Sequence, residues 1–334
     1  KKGEKIVAMN VSAVDLTIEK IEQVDYPKEV TGKPVPPVVP ADAPAFVKNT
    51  TAKLMSGEGE SLKVSEFPED GTWPVSTTQY EKRNIAVNIP VWDKDACVQC
   101  GKCVMVCPHA AIRSKIYPKD ILKNAPANFK SSDPKPAKGL EGYAYTLQVA
   151  AEDCTGCATC VVNCPAKEKG AIKMEPQLPL RDQERENYDF FLNIPDPNPE
   201  LYNPSVMKGI QYVKPLFEYS GACAGCGETA YVKMLSQLFG DRAIIANATG
   251  CSSIYGGNLP TTPYCQRADG RGPAWTNSLF EDNAEVAYGM RLSVDKQFQY
   301  AMELADNIIS NGGCSQEVKN ILTEIRSADQ SSHL

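Results

Sequence analysis

The sequence predicts a multidomain protein that joins an α+β unit of two pseudo-symmetric halves to a unit of α/β type. Three observations carry this. The run Cys97-Val-Gln-Cys100-Gly-Lys-Cys103-Val-Met-Val-Cys107-Pro108 recurs as Cys154-Thr-Gly-Cys157-Ala-Thr-Cys160-Val-Val-Asn-Cys164-Pro165. Beyond residue 215 the pattern changes to amphipathic helices alternating with an apolar strand. Prolines 27, 34, 36, 37, 40 and 44 precede the first unit, and prolines 195, 197, 199 and 204 separate it from the second.

Taken in order, residues 5–11 (Lys-Ile-Val-Ala-Met-Asn-Val) read as a buried strand because their apolar residues are nearly contiguous. The charged stretch 15–23 reads as a helix. Residues 26–46 form an extended strap, since proline fixes φ and removes a donor, and the strap is expected to wrap over a neighbouring domain. A mixed segment follows and ends in Tyr80-Glu-Lys-Arg-Asn-Ile-Ala86. The ferredoxin-like spacing occupies 87–180, and 181–215 read as an extended connector. In the last unit, 228–240 form a helix with Tyr231, Met234, Leu235 and Leu238 on the core face and Gly240 as its stop. Residues 243–248 form a buried strand of the kind parallel sheets contain. Helices are expected over 281–292, 297–309 and 316–325, with a turn at Gly312-Gly313. The expected domains are thus 1–26, 27–86, 87–180, 181–215 and 216–334.

The 334 residues leave room for two or three domains. A net charge of −6 argues against nucleic-acid binding. No apolar run approaches the roughly 18 residues of a membrane span, and residues 1–27 lack a signal peptide's apolar stretch. Thirteen cysteines in such a chain point to a reducing cytoplasm and to metal ligation rather than disulfides. With His109 and His333 as its two histidines, the chain has little scope for histidine acid–base chemistry. His109 reads as a partly solvated residue beside the first motif. Without an initiator Met, and ending just after a helix, the chain reads as a segment of something longer.

The Cys-x2-Cys-x2-Cys-x3-Cys-Pro spacing is the ligand pattern of two-cluster ferredoxins. Three thiolates two residues apart wrap three corners of one iron–sulfur cube, and the fourth points to the other. Cys97, Cys100 and Cys103 are therefore expected to share a 4Fe-4S cluster with Cys164, and Cys154, Cys157 and Cys160 with Cys107. Pro108 and Pro165 are each expected to start a helix. Gly101, Gly156 and Ala158 let backbone amides approach sulfur and tune the potential. Structural zinc, which pairs two Cys-x2-Cys units at a distance, fits two identical quartets poorly. Between the motifs, residues 113–140 hold seven basic residues (Arg113, Lys115, Lys119, Lys123, Lys130, Lys135, Lys138) against Asp120 and Asp133, an excess that reads either as a solvated face, the commoner case, or as suited to steering an acidic partner. A second constellation, Cys223 and Cys226 before the 228–240 helix and Cys251 after the 243–248 strand, sits where open α/β sheets bind ligands. It is expected to hold a third cluster one ligand short, with a zinc site or a redox pair of cysteines as the alternatives. Cys265 and Cys314 read as ordinary cysteines.

Tyr80–Ala86, the paired quartets, Ala222-Cys-Ala-Gly-Cys-Gly-Glu-Thr229, Ala248-Thr-Gly-Cys-Ser-Ser253 and Gly272-Pro-Ala-Trp-Thr-Asn-Ser-Leu-Phe-Glu-Asp-Asn-Ala-Glu285 together resemble pyruvate:ferredoxin oxidoreductase, a thiamine diphosphate-dependent 2-oxoacid oxidoreductase family. The resemblance covers essentially the whole chain. It implies that the α/β unit is part of a thiamine diphosphate-binding domain. It also implies oxidative decarboxylation of pyruvate with coenzyme A to acetyl-CoA and carbon dioxide, electrons passing through three 4Fe-4S clusters to ferredoxin or flavodoxin. By position, Cys223, Cys226 and Cys251 are proximal-cluster ligands whose fourth partner lies outside this chain. Glu228 and Cys251 border the thiamine diphosphate. Asn10, in a segment that resembles the end of the coenzyme A-side domain, is a candidate contact to coenzyme A. Implied partners are the rest of the enzyme chain and a second copy in a homodimer, with neither nucleic acid nor membrane.

Departures from the family pattern accompany the likeness. The Gly-Asp-Gly motif for Mg2+ and pyrophosphate is absent and is expected beyond residue 334. The pyruvate-binding domain and the glutamate that activates the thiamine ring are expected before residue 1. No catalytic residue is assigned within this chain, and the segment alone is expected to be inactive. Two alternatives stay open: a stand-alone polyferredoxin, which has no use for an α/β unit after residue 215, and a related oxidoreductase for another 2-oxoacid.

Overall fold

The computed structural model describes residues 3–30, 32, 36–258, 260–278, 280 and 282–327; Pro34 and His333 lie outside the described residues. The chain divides into two units, Lys1–Pro37 and Val38–Leu334.

In the first unit a helix, α1, spans Glu4–Glu19. This overturns the strand expected over 5–11 and shortens the helix expected over 15–23, because residues beyond Lys20 leave the helix. The apolar residues Val7, Val11, Val14 and Ile18 recur at helical spacing, and a contiguous apolar run alone cannot separate the two periods. None of the residues of α1 is buried, and Asn10 lies among them.

In the second unit Pro40 and Pro44 lead into a wide turn at Val47–Thr51 and a short helix, α2, at Ala52–Met55. Val39, Ala43 and Val47 form a small core there with Ala52, Met55 and Tyr80 packed against it. The stretch after Tyr80 is a tie. Asn84 N donates to Glu152 O at 3.0 Å, and Lys82 pairs with Asp153 at 2.6 Å. Glu81 accepts from Thr261 Oγ1 at 2.8 Å.

Residues 88–176 fold as two matching halves. The first runs β1 (Asn88–Trp92), the first cysteine motif, α3 (Lys102–Val106) and β2 (Ile112–Pro118). The second runs β3 (Tyr143–Val149), the second motif, α4 (Thr159–Val162) and β4 (Ile172–Pro176). Each antiparallel ladder pairs a strand of one half with a strand of the other: β1 with β4 (Trp92 opposite Ile172) and β2 with β3 (Ile112 opposite Val149). Trp92, Ile112, Ile116, Tyr145, Leu147 and Ile172 form the core between them.

The basic stretch 113–140 is part interior and part surface. Arg113 is buried in an ion pair with Glu218, and Lys115 donates to Ile194 O beside Asp196. Lys130 donates to Trp92 O at 2.9 Å, Lys135 to Cys97 O at 2.8 Å, and Lys119 pairs with Asp133 at 2.6 Å. Arg113 and Lys115 are thus spent inside the fold, whereas Lys119, Lys123, Lys135 and Lys138 remain exposed.

The 181–215 connector is also corrected. It begins with a 13-residue helix, α5 (Arg181–Asn193), whose Asn187, Tyr188 and Phe191 are buried. The prolines that suggested extension all lie beyond its end. A short helix, α6 (Met207–Ile210), precedes the last region.

There α7 (Gly227–Phe239) forms as expected but turns its other side inward. Thr229, Lys233, Ser236 and Gln237 are buried, while Tyr231 is 72 % exposed and Leu235 and Leu238 are exposed as well. Strand β5 (Ile244–Ala248) pairs in parallel with β6 (Ala274–Ser278). It is half-buried rather than buried, since a parallel pair needs cover on both faces to bury its side chains. Cys251–Ser253 form one helical turn, α8. The two helices expected over 281–309 are one, α9 (Asn283–Asn311), because the intervening Ser293-Val-Asp-Lys296 contains no breaker. It stops at Gly312 in the left-handed conformation (φ 69°), and α10 (Gln316–Ser327) follows. Among the described residues, no helix is long and apolar enough to cross a membrane.

Candidate metal centres

The two cysteine loops have one backbone shape. Gln99 and Gly156 occupy equivalent positions with φ of 54° and 69°, and Gly101 and Ala158 with 78° and 59°. These left-handed residues curl each loop so that an amide faces its own sulfur. Gln99 N donates to Cys97 Sγ at 3.3 Å and Gly156 N to Cys154 Sγ at 3.4 Å. The helices α3 and α4 begin one residue before the third cysteine of each motif. The expectation that Pro108 and Pro165 start helices is therefore overturned: the helices lie on the cysteine side, and the backbone at Cys107 has already left α3 (ψ 113°).

Two cavities of nearly equal size result. Cys97, Cys100, Cys103 and Cys164 line one with Trp92, Tyr145 and Ile172. Cys107, Cys154, Cys157 and Cys160 line the other with Pro90, Ile112 and Met174. Each quartet takes its fourth cysteine from the other motif. Burial pushes the Cys154 and Cys160 thiols up to about 12, and Cys103 is raised by burial and by Cys97. Thiols so placed ionise against a cation rather than against water. Among the described residues no three His, Cys, Asp or Glu side chains converge tightly enough for one metal ion. Four thiols drawn from two motifs around each cavity are the donor set of an iron–sulfur cube.

His109 also lines the second cavity. The sequence reading had it partly solvated, but it is 2 % exposed, held by Tyr219 N donating to its carbonyl at 2.9 Å. Burial pushes its imidazole down to about 4, so the ring is neutral near pH 7.

The second constellation begins against this cavity. A Cβ on Gly225 would lie 3.6 Å from Cys157 Cβ, so the Cys223–Cys226 loop abuts the wall of the second quartet. Cys226 caps α7, and Cys251 opens α8 at the carboxyl end of β5. Cys223 and Cys251 are exposed. Among the described residues the three do not converge as a metal site. Glu228, on the first turn of α7, accepts a hydrogen bond from Tyr255 OH at 2.8 Å, just past α8. Cys265 is buried and its thiol points to Pro263 O at 3.2 Å, an ordinary structural cysteine.

Sequence reasoning missed Tyr255, the buried Arg113–Glu218 pair and Lys233. Lys233 is 1 % exposed, and burial pushes its ammonium down to about 8 against the pull of Cys107. Its signal was present, since Thr229, Lys233, Ser236 and Gln237 share the i, i+4, i+7, i+8 spacing of one helix face.

Comparison with known proteins bears on this geometry. A family model described as a domain of unknown function, EKR, matches residues 33–86, and a 4Fe-4S binding domain matches 89–112. The chain is 55 % identical over 326 residues to the pyruvate-flavodoxin oxidoreductase of Nostoc sp. and 47 % identical over 298 residues to the pyruvate:ferredoxin oxidoreductase of Moorella thermoacetica. This chain is homologous to a segment of those oxidoreductases. The alignments cover 94 % and 89 % of it but only 27 % and 25 % of the two relatives. It is also 40 % identical over 336 residues to the pyruvate dehydrogenase [NADP(+)] of Cryptosporidium parvum, covering 92 % of this chain and 17 % of that one. The oxidoreductase homologue thus spans about a quarter or less of the length of these relatives.

Proposed function

We propose that this chain is the electron-transfer module, with one wall of the thiamine diphosphate site, of a pyruvate:ferredoxin or pyruvate:flavodoxin oxidoreductase. The observation that carries the reading is the pair of matched cavities, each lined by four thiols drawn from both motifs. The relatives' names supply the substrate and the acceptor. The residues fit two 4Fe-4S clusters, which supply one-electron steps when bound. Cys97, Cys100, Cys103 and Cys164 hold one, and Cys107, Cys154, Cys157 and Cys160 the other. Inward amides at Gln99 and Gly156 offset sulfur charge, and the apolar walls exclude water.

Cys223, Cys226 and Cys251 are proposed as ligands of a third cluster, next to the second quartet and on the route of electrons from the 2-oxoacid. Thiamine diphosphate supplies the electron sink that lets carbon dioxide leave a 2-oxoacid. Among the described residues Glu228, which accepts from Tyr255 OH, and Cys251 form only one side of such a site, and no acidic cluster suits Mg2+. The acceptor, coenzyme A through Asn10, a cytoplasmic setting and a homodimer belong to the same proposal.

Anaerobic determination of iron, sulfide and zinc per chain tests it. About eight irons with matching sulfide is expected for two cubes, and about twelve where the third site is completed by further chain. Zinc without sulfide overturns the reading. The segment alone is expected not to reduce a viologen dye with pyruvate and coenzyme A; turnover by it would place the whole substrate site within these residues.

A further inference from the structure

Lys233 sits in the middle of α7, facing the ferredoxin-type half. Its Nζ donates to the carbonyl oxygens of Val104, of Met105 at 2.9 Å and of Cys107 at 3.1 Å. An ammonium has three N–H donors and no acceptor, so three carbonyls satisfy its charged form completely. These carbonyls belong to the last turn of α3 and the residue beyond it, where a helix leaves acceptors without internal partners. They are neutral, however, and a buried charge ordinarily requires a counter-charge. Arg113 and Lys115, buried cations lining the same cavity as Lys233, have counter-charges in Glu218 and Asp196. Lys233 instead bonds the carbonyl of Val104, the residue after Cys103 of the first quartet, and that of Cys107 of the second. One positive charge, 1 % exposed at the wall of a further cavity, thus bonds backbone next to a cysteine of each quartet, where it is screened less than a surface charge.

Resting on the reading of the two quartets as 4Fe-4S sites, we propose that Lys233 is a tuning and positioning residue of the electron-transfer module. Its buried charge raises the reduction potentials of both clusters, and its three hydrogen bonds fix α7, with the Cys223–Cys226 loop at its start, against the ferredoxin-type half. Each cluster takes up one electron and gains one negative charge on reduction. A fixed neighbouring cation therefore stabilises the reduced form more than the oxidised form.

The test is an EPR-monitored redox titration of the anaerobically purified full chain, with iron and sulfide measured on every variant. Lys233→Met and Lys233→Gln should keep their clusters and show both midpoints at more negative potential, while Lys233→Arg stays at the wild-type values. Unchanged midpoints in either neutral variant that retains its clusters overturn the proposal. If both neutral variants fail to assemble while Lys233→Arg assembles at wild-type potential, the three carbonyls require the charge itself, which supports it. Failure of Lys233→Arg as well reduces the residue to packing and overturns it. Wild-type protein without iron and sulfide would instead sink the cluster reading on which it rests.

Discussion

Cys107 and Cys164 each end one motif and serve the cavity of the other, because the backbone leaves its short helix just before them. The exchange makes a crossed prediction. Replacing Cys164 and Cys97 together by alanine should cost the same four irons as either change alone, since both line one cavity. Replacing Cys164 and Cys154 together should cost about eight. Iron analysis and EPR spin counting check both. The buried Arg113–Glu218 pair offers a second measurement. Arg113→Met leaves the Glu218 carboxylate buried without its partner and should cost about 3–5 kcal/mol in denaturant unfolding; adding Glu218→Leu should recover most of it.

Helix α5 converts a presumed linker into part of the core. Phe191 is buried against Tyr188, with ring centroids 5.5 Å apart, while its neighbour Leu192 is exposed. Phe191→Ala should therefore cost about 3–5 kcal/mol and Leu192→Ala no more than about 0.5 kcal/mol, read as shifts of the urea midpoint. Helix α7 makes the complementary point. Its buried side is polar, with Gln237 Nε2 donating to Ile210 O at 3.0 Å and Val213 O at 2.8 Å, and Ser236 Oγ accepting from Leu216 N at 3.1 Å. Its polar side chains, bonded to backbone groups of neighbouring elements, and not its apolar stripe, dock it.

Across the second unit, the quartets stand where the two antiparallel ladders meet, so each candidate cluster ties one half to the other. Anaerobic removal of iron by a chelator should open this region as a whole. Rapid proteolysis between residues 88 and 176, with slower cutting in the loaded protein, is the expected result; equal cutting rates would show that the thiol cavities hold together on side-chain packing alone. The segment 80–86 gains a physical role at this scale. Its bonds to Glu152, Asp153 and Thr261 join the ferredoxin-type half to the region of β5 and β6.

The quartets, their exchange of fourth cysteines and the existence of α7 and α10 were legible in the amino-acid order, because ligand spacing and the 3.6-residue period are local properties of the chain. The left-handed pairs Gln99/Gly156 and Gly101/Ala158 were half legible: glycine announced two of the four, and only the shared loop shape placed a Gln and an Ala beside them. Tertiary structure alone decided which stripe of α7 lies inward, that Arg113 and Lys115 are interior groups, and that His109 is dry. Periodicity marks a face without naming its neighbour, and a buried charge is set by acceptors far away in sequence. For Lys233 those acceptors lie more than a hundred residues upstream, at Val104, Met105 and Cys107.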